Sequence, residues 1–282
     1  MRLLLFYIDE GKPGRLHLSS YMDEPGWFFD ELVYITTKTE KVLIKTRGIV
    51  FRSIKYSESS VIVDIFTEER GMRSYLVPGV RRKNARISPG LLQVMSLVDM
   101  VAYEKHEKGL NRIREIKSAV VYQSLPFEVH KSAVGLFMAE VARKSIREPE
   151  ENPRLFEFLF RTFQFLDQTA LPISNLHLHF LLELSFHLGF VPGGAWSEET
   201  PYFDLQEGLF ASSKAASHQY LDTVTSQVLY QLLRCDYAQC HEVRIGRQMR
   251  QDLLDKLLAF YRYHIDNFPE INAHSILKTV LS

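Results

Sequence analysis

Between residues 42 and 118, apolar and polar side chains trade places over short runs. VLIKTRGIVF mixes β-branched and polar residues, and VIVDIF sets Val61, Val63 and Ile65 on one face. TEERG then reads as a turn, MRSYLV as a strand and Pro78-Gly79 as a breaker. MSLVDMVAY and LNRIREIKS supply two more strands. About five short strands in so small a span predict a closed barrel of the OB type.

After residue 125 the period lengthens. EVHKSAVGLFMAEVARKS gives a first helix. NPRLFEFLFRTFQFLDQ opens on Asn152 as N-cap with Pro153 behind it, and Leu155, Leu159, Phe163 and Leu166 follow at spacings of three and four. SNLHLHFLLELSFHLG is apolar nearly all round and ends at Gly189, which predicts a buried central helix. DTVTSQVLYQLLR and GRQMRQDLLDKLLAFYRYHI are amphipathic. Between these helices, PGGAWSEETPYFDLQEGLFASSK (192–214) has short aromatic runs around a Glu-Gly turn and reads as a β-hairpin. The fold class is therefore α+β: an extension over 1–41, a barrel over 42–120 and a helical domain over 121–282 that carries the hairpin.

Net charge is zero, but it is unevenly placed. Residues 41–118 hold 16 Lys and Arg against 8 Asp and Glu, whereas 119–282 hold 14 against 19. A basic barrel beside a mildly acidic helical half points to a polyanion on the barrel. Arg81, Arg82, Lys83 and Arg86 follow the Pro-Gly breaker and are expected on a loop. Lys45, Arg47, Arg52, Lys55 and Arg73 lie on nearby strands, with Phe51, Tyr56 and Tyr75 as candidate stacking partners.

Other chemistry has weak support. His177 and His179 sit about 200° apart on a helix, and His187 lies two turns further on, so the three do not converge on one ion. Cys235, Cys240 and His241 lack a second pair at ribbon spacing. Two cysteines exclude a disulfide framework and fit a reducing compartment. Neither a nucleophile elbow, a P-loop nor an H-E-x-x-H helix is present, and Glu198-Glu199 has no partner acid. No apolar run approaches the ~20 residues of a membrane span. A cytoplasmic protein without enzymatic chemistry is the expectation.

The order of four short motifs narrows this further. Lys45–Gly48, the Tyr56–Ser60 turn, Phe66–Gly71 and the Gly79–Arg82 loop resemble, in order and spacing, the opening of the RecO family of recombination mediators. FLLELSFHLGFVP, YFDLQEGLF and HSILKTVLS continue the resemblance more thinly, so that it covers about 42–282. It implies a protein that binds single- and double-stranded DNA. It further implies annealing of strands coated by single-strand-binding protein, and cooperation with RecR in loading RecA.

The phosphate contacts so implied are Arg47, Arg52, Lys55, Arg73, Arg81, Arg82, Lys83 and Arg86. A receiver for the acidic, apolar-ended tail of single-strand-binding protein is expected around Arg244, Arg247, Met249, Arg250 and Leu253. The alternative is a generic nucleic-acid-binding OB module with a helical partner-binding domain.

In many members of this family the hairpin carries a zinc ribbon, with a Cys pair on either side. Here those places read GGAW and ASSK. No zinc is expected, and a zinc-to-protein ratio near one would contradict this. Residues 1–41 match nothing in the family, so Val42 is the expected native start; N-terminal sequencing that begins earlier would refute it.

Overall fold

The computed structural model describes residues 6–8, 16–18, 42–104, 110–146, 150–214 and 219–281. In the first unit, Phe6–Ile8 (β1) pairs antiparallel with Leu16–Leu18 (β2). The rest of the 1–41 segment, with the expectation about its start, lies outside the described residues.

The five predicted strands form at Val42–Lys55 (β3), Val61–Thr67 (β4), Gly71–Val77 (β5), Leu97–Glu104 (β6) and Asn111–Ser118 (β7). They close in the order β3-β4-β5-β7-β6. The β5–β7 pair is parallel, with Tyr75 opposite Asn111 and Leu76 opposite Arg112. Val61, Val63 and Ile65 do share one face, and they fill the barrel with Val50, Tyr75, Val77, Val98 and Met100. Gly48 belongs at its crowded wall: a Cβ there would lie 2.6 Å from the Ile65 methyl.

Among the described residues six α-helices follow: Val129–Ser145 (α1), Pro153–Gln168 (α2), Leu176–Leu188 (α3), Thr223–Leu233 (α4), Arg247–His264 (α5) and Ala273–Val280 (α6). Asn152 caps α2 by accepting from the Leu155 N–H, and Asp222 caps α4 in the same way. Nine of the thirteen residues in the central helix α3, including Leu178, Phe180, Leu181 and Leu184, lie at 3 % exposure or less. Among the described residues no helix is long and apolar enough to cross a membrane.

Barrel and helices share one core. Ile49, Phe51, Phe66, Met95 and Leu97 leave the barrel's outer wall and pack with the helical interior. The Phe66 and Phe156 rings are 6.0 Å apart. The connector between the halves is pinned as well. The Asp167 carboxylate accepts from the backbone N–H groups of Gln123, Ser124 and Leu125 at 2.8–3.0 Å. Buried Lys131 donates to Ser124 Oγ and to the carbonyls of Asp167 and Thr169.

The hairpin forms at Tyr202–Asp204 (β8) and Leu209–Ala211 (β9), and gains a third strand, Tyr220–Leu221 (β10), on the β8 side. Phe203 is fully buried against Phe210 and Phe260, and Phe210 meets Tyr230 edge-on. Gly193 ties the preceding segment to the turn: its N–H donates to the Gly208 carbonyl at 2.8 Å, and its own carbonyl accepts from Phe210 at 3.3 Å. A Cβ on Gly193 would come 2.7 Å from Leu209.

Candidate nucleic-acid interface

One end of the barrel gathers a cluster of exposed cations. The β3–β4 turn closes with Tyr56 and Ser57 donating to the Ser60 carbonyl. The loop after β5 joins it there, because the Arg81 N–H donates to the Ser59 carbonyl at 3.3 Å. Val80 is buried and Ile87 packs on the barrel core, so both ends of the basic run are anchored while Arg81, Arg82, Lys83 and Arg86 stay exposed. Among the described residues no ion pair neutralises these four. Lys55 and Tyr56, both exposed, border the same end. Clustered, unneutralised cations on an anchored loop are suited to a chain of phosphates.

The other predicted contacts differ in kind. Arg52 is exposed on the outer face, but its Nε donates to Asp64 at 2.5 Å, and Asp64 is held in turn by the Ser74 hydroxyl at 2.7 Å. Arg73 is half-buried and donates to the Met72 carbonyl.

Arg47 sits at the junction with the helices. Its Nε and Nη2 donate to Glu68 at 2.8 and 2.7 Å, and Nη2 also reaches Glu157 on α2 at 2.9 Å. The guanidinium lies over Phe156 and Phe160, 5.2 and 4.8 Å from their centroids. The Glu68 bonds, then Glu157, hold the guanidinium more firmly protonated than usual, against the opposing effect of burial. Arg47 is thus placed as a clamp between the two halves.

Of the aromatics, Phe51 belongs to the shared core and Tyr75 to the barrel interior, so neither can stack on a base. Tyr56 alone of the three is exposed. Arg112 went unnoticed in the sequence; it is exposed on β7 opposite Leu76, and only the parallel β5–β7 register reveals that neighbourhood.

The second cationic site lies between α5 and α6. Arg247, Arg250, Gln251 and Lys278 line a narrow cleft with Leu254, Leu277, Leu281 and His177. Arg247 is exposed, as expected of a receiver. Arg250 is braced: its Nε donates to Asn175 Oδ1 at 3.0 Å and its Nη2 to the Ile245 carbonyl at 2.9 Å. Leu253 is fully buried in the helical core and Met249 packs against that core; Leu254, one position on, reaches the cleft lining, although at 2 % exposure it too belongs to the core. Arg244 is exposed outside the cleft lining. Leu277 and Lys278 come from the last helix and Leu281 from its C-cap; the sequence marked this segment only as part of HSILKTVLS, because eight residues carry too little periodicity to show a cleft wall.

The histidines serve packing. His179 stacks on Tyr237 at 4.8 Å, His187 on Phe158 at 4.5 Å, and His177 meets Phe137 edge-on. Burial holds His179 neutral, with its pKa down to about 4. The Cys240 thiol donates to the Tyr237 carbonyl, and burial pushes it up to about 12. Among the described residues, no three His, Cys, Asp or Glu side chains are grouped to hold a metal. A ribbon zinc does not fit the hairpin: Gly193–Trp196 and Ala211–Lys214 offer no thiolate or imidazole. Backbone bonds at Gly193 and aromatic packing tie those segments instead.

Comparison with known proteins supplies a family for the chain. Residues 42–122 match the family model described as recombination protein O, N terminal, and residues 126–270 match its C-terminal counterpart. The chain is 32 % identical over 241 residues to the DNA repair protein RecO of Phocaeicola vulgatus, covering 86 % of this chain and all of the relative. It is 34 % identical over 238 residues to that of Bacteroides fragilis (84 % and 98 % covered), and 34 % over 246 residues to that of Flavobacterium johnsoniae (85 % and 99 %).

Proposed function

The chain belongs to the RecO family of DNA repair proteins, and from that premise we propose that it is a recombination mediator that anneals DNA strands without covalent chemistry. The observation that carries this reading is the end of the barrel where Lys55, Arg81, Arg82, Lys83 and Arg86 stand exposed and unneutralised. Two strands repel through their phosphates. A surface that replaces counterions on both lowers that repulsion, and base pairing then supplies all the sequence reading. Arg52, Arg73 and Arg112 extend the surface along the outer wall, while Arg47 keeps barrel and helices in register. Single- and double-stranded DNA are both ligands, because phosphate contacts do not read bases.

The cleft between α5 and α6 receives the acidic, apolar-ended tail of single-strand-binding protein. It combines positive charge from the exposed Arg247 and the braced Arg250 with leucines in its lining, as such a tail requires, while Lys278 at its edge is paired with Asp255 at 2.7 Å. Delivery to coated strands follows, and with it cooperation with RecR in loading RecA on gaps.

The test is annealing of complementary oligonucleotides coated with the host's single-strand-binding protein, intact or tailless. Acceleration only with the intact tail is expected. Acceleration with both would leave the barrel reading and remove the cleft from it. No acceleration by folded protein would overturn the mediator reading.

A further inference from the structure

A cavity of about 520 Å³ opens where the ends of four helices meet the wall of the barrel. It shares no lining residue with either basic site. Its volume falls in the range that encloses a small organic ligand. Phe66 from β4, Leu155 from α2, Leu188 from α3 and Phe190 just beyond it supply apolar surface. Glu150, Glu151 and Asp266 line it as well, and all three are exposed. Among the described residues no lysine or arginine lines the cavity.

The backbone adds to this negative character. Ile146 and Ile265 are the C-caps of α1 and α5, and Leu188 is the last residue of α3, so three helices turn their C-terminal ends to the cavity. The carbonyls of a last helical turn carry roughly half a negative charge. The fourth helix, α2, presents its N-terminus, where Asn152 already accepts the Leu155 N–H. Burial first, then nearby Arg154, hold His187 below its usual pKa, so that ring is neutral at pH 7. The His264 ring is stacked on Phe190 with 4° between their planes.

Ser145 is the independent sign of a ligand. It lines the cavity at 3 % exposure, and its hydroxyl has no hydrogen-bond partner among the described residues. A buried oxygen left unpaired carries a cost that a donor on a ligand relieves. Negative charge, an unpaired acceptor and apolar surface together select a cation on a carbon body.

We propose that this cavity binds a small organic cation, a guanidinium or primary ammonium carried on an apolar stem. The head donates to Ser145 Oγ beside the helix ends, the three carboxylates balance its charge, and the stem lies against Leu188 and Phe190. A free alkylguanidine and the arginine side chain of a partner polypeptide share this chemistry.

Isothermal titration of the full chain at low salt tests it with butylguanidinium, with neutral butylurea of the same shape, and with the peptide N-acetyl-Leu-Arg-Leu amide. Butylguanidinium is expected to bind with a dissociation constant on the order of a millimolar, and butylurea about tenfold more weakly. Binding of the peptide alone would assign the site to a partner's arginine, and binding of butylguanidinium alone to a free small molecule. Equal binding of cation and urea, or binding of none of the three, would overturn the proposal. Glu150→Gln/Glu151→Gln/Asp266→Asn changes only exposed side chains, so it is expected to fold and to bind DNA unchanged. It should weaken the cation roughly tenfold and leave butylurea unaffected. Ser145→Ala removes a hydroxyl without a partner, so it too is expected to fold, and it should weaken the cation about fivefold. Full affinity in both variants would overturn the site.

Discussion

The two basic sites handle charge in opposite ways. At the barrel end the cations are on a loop, exposed and unpaired, and no apolar wall accompanies them. In the helical cleft the charges are few and one is braced: Arg250 is held by Asn175 and the Ile245 carbonyl, and leucines flank the opening. A polyanion with repeating phosphates needs many interchangeable contacts, and the entropy of released counterions drives its binding. A single chain end needs fixed geometry and a place for one side chain. Cation number suits the first and cation placement the second.

Removing the loop cations together should break this contrast most strongly. Arg81→Ala/Arg82→Ala/Lys83→Ala/Arg86→Ala is expected to lower single-stranded DNA affinity on the order of a hundredfold at moderate salt. The slope of log affinity against log salt should fall by about 3, at roughly 0.7 per phosphate contact. Anisotropy titrations across a salt series read both. An unchanged slope would mean that the phosphates bind elsewhere.

Acid should act on the helical half. Unfolded imidazoles take up a proton near pH 6.5, whereas burial delays this to about 3 for His177 and about 4 for His179. The unfolded chain therefore binds more protons throughout that window. Stability is full above pH 6.5 and lost as pH falls toward 4, each imidazole adding a slope of up to roughly 1.4 kcal/mol per pH unit. Urea unfolding at stepped pH checks this, and His177→Leu should flatten the profile. A profile as steep in that variant would exclude His177 as a contributor.

The smallest of the three effects separates Arg47 from the other arginines. Arg47→Ala removes a partly solvent-screened pair of carboxylate contacts and two ring contacts. It is expected to cost about 1–2 kcal/mol in urea unfolding while leaving the salt slope of DNA binding unchanged. A slope reduced by about 1 would return Arg47 to the phosphate contacts.

Much of this architecture was legible in the residues themselves. Val61, Val63 and Ile65 alternate because one face of β4 fills the barrel. Asn152-Pro153 announces α2 because the cap and the fixed proline φ are local chemistry. The hairpin showed in its turn and aromatic runs, although β10 did not, since two residues carry no period. The loop cations were equally plain, lying within six residues of one another. The cleft was not. Its residues come from α3, α5 and α6, so only packing brings His177 to Lys278 and Leu277. Leu253 and Leu254 look alike in sequence, and the rotation of α5 against α3 decides which one lines the opening.

The sequence by itself determined the barrel, the helices, the charge asymmetry and the family, because these depend on local periodicity and on motif order. Tertiary structure alone decided the duty of each arginine: Arg81 open to solvent, Arg52 tied to Asp64, Arg47 clamped between Glu68 and Glu157. A guanidinium is the same group at every position, and its function is set by the carboxylates, rings and solvent that the fold places around it.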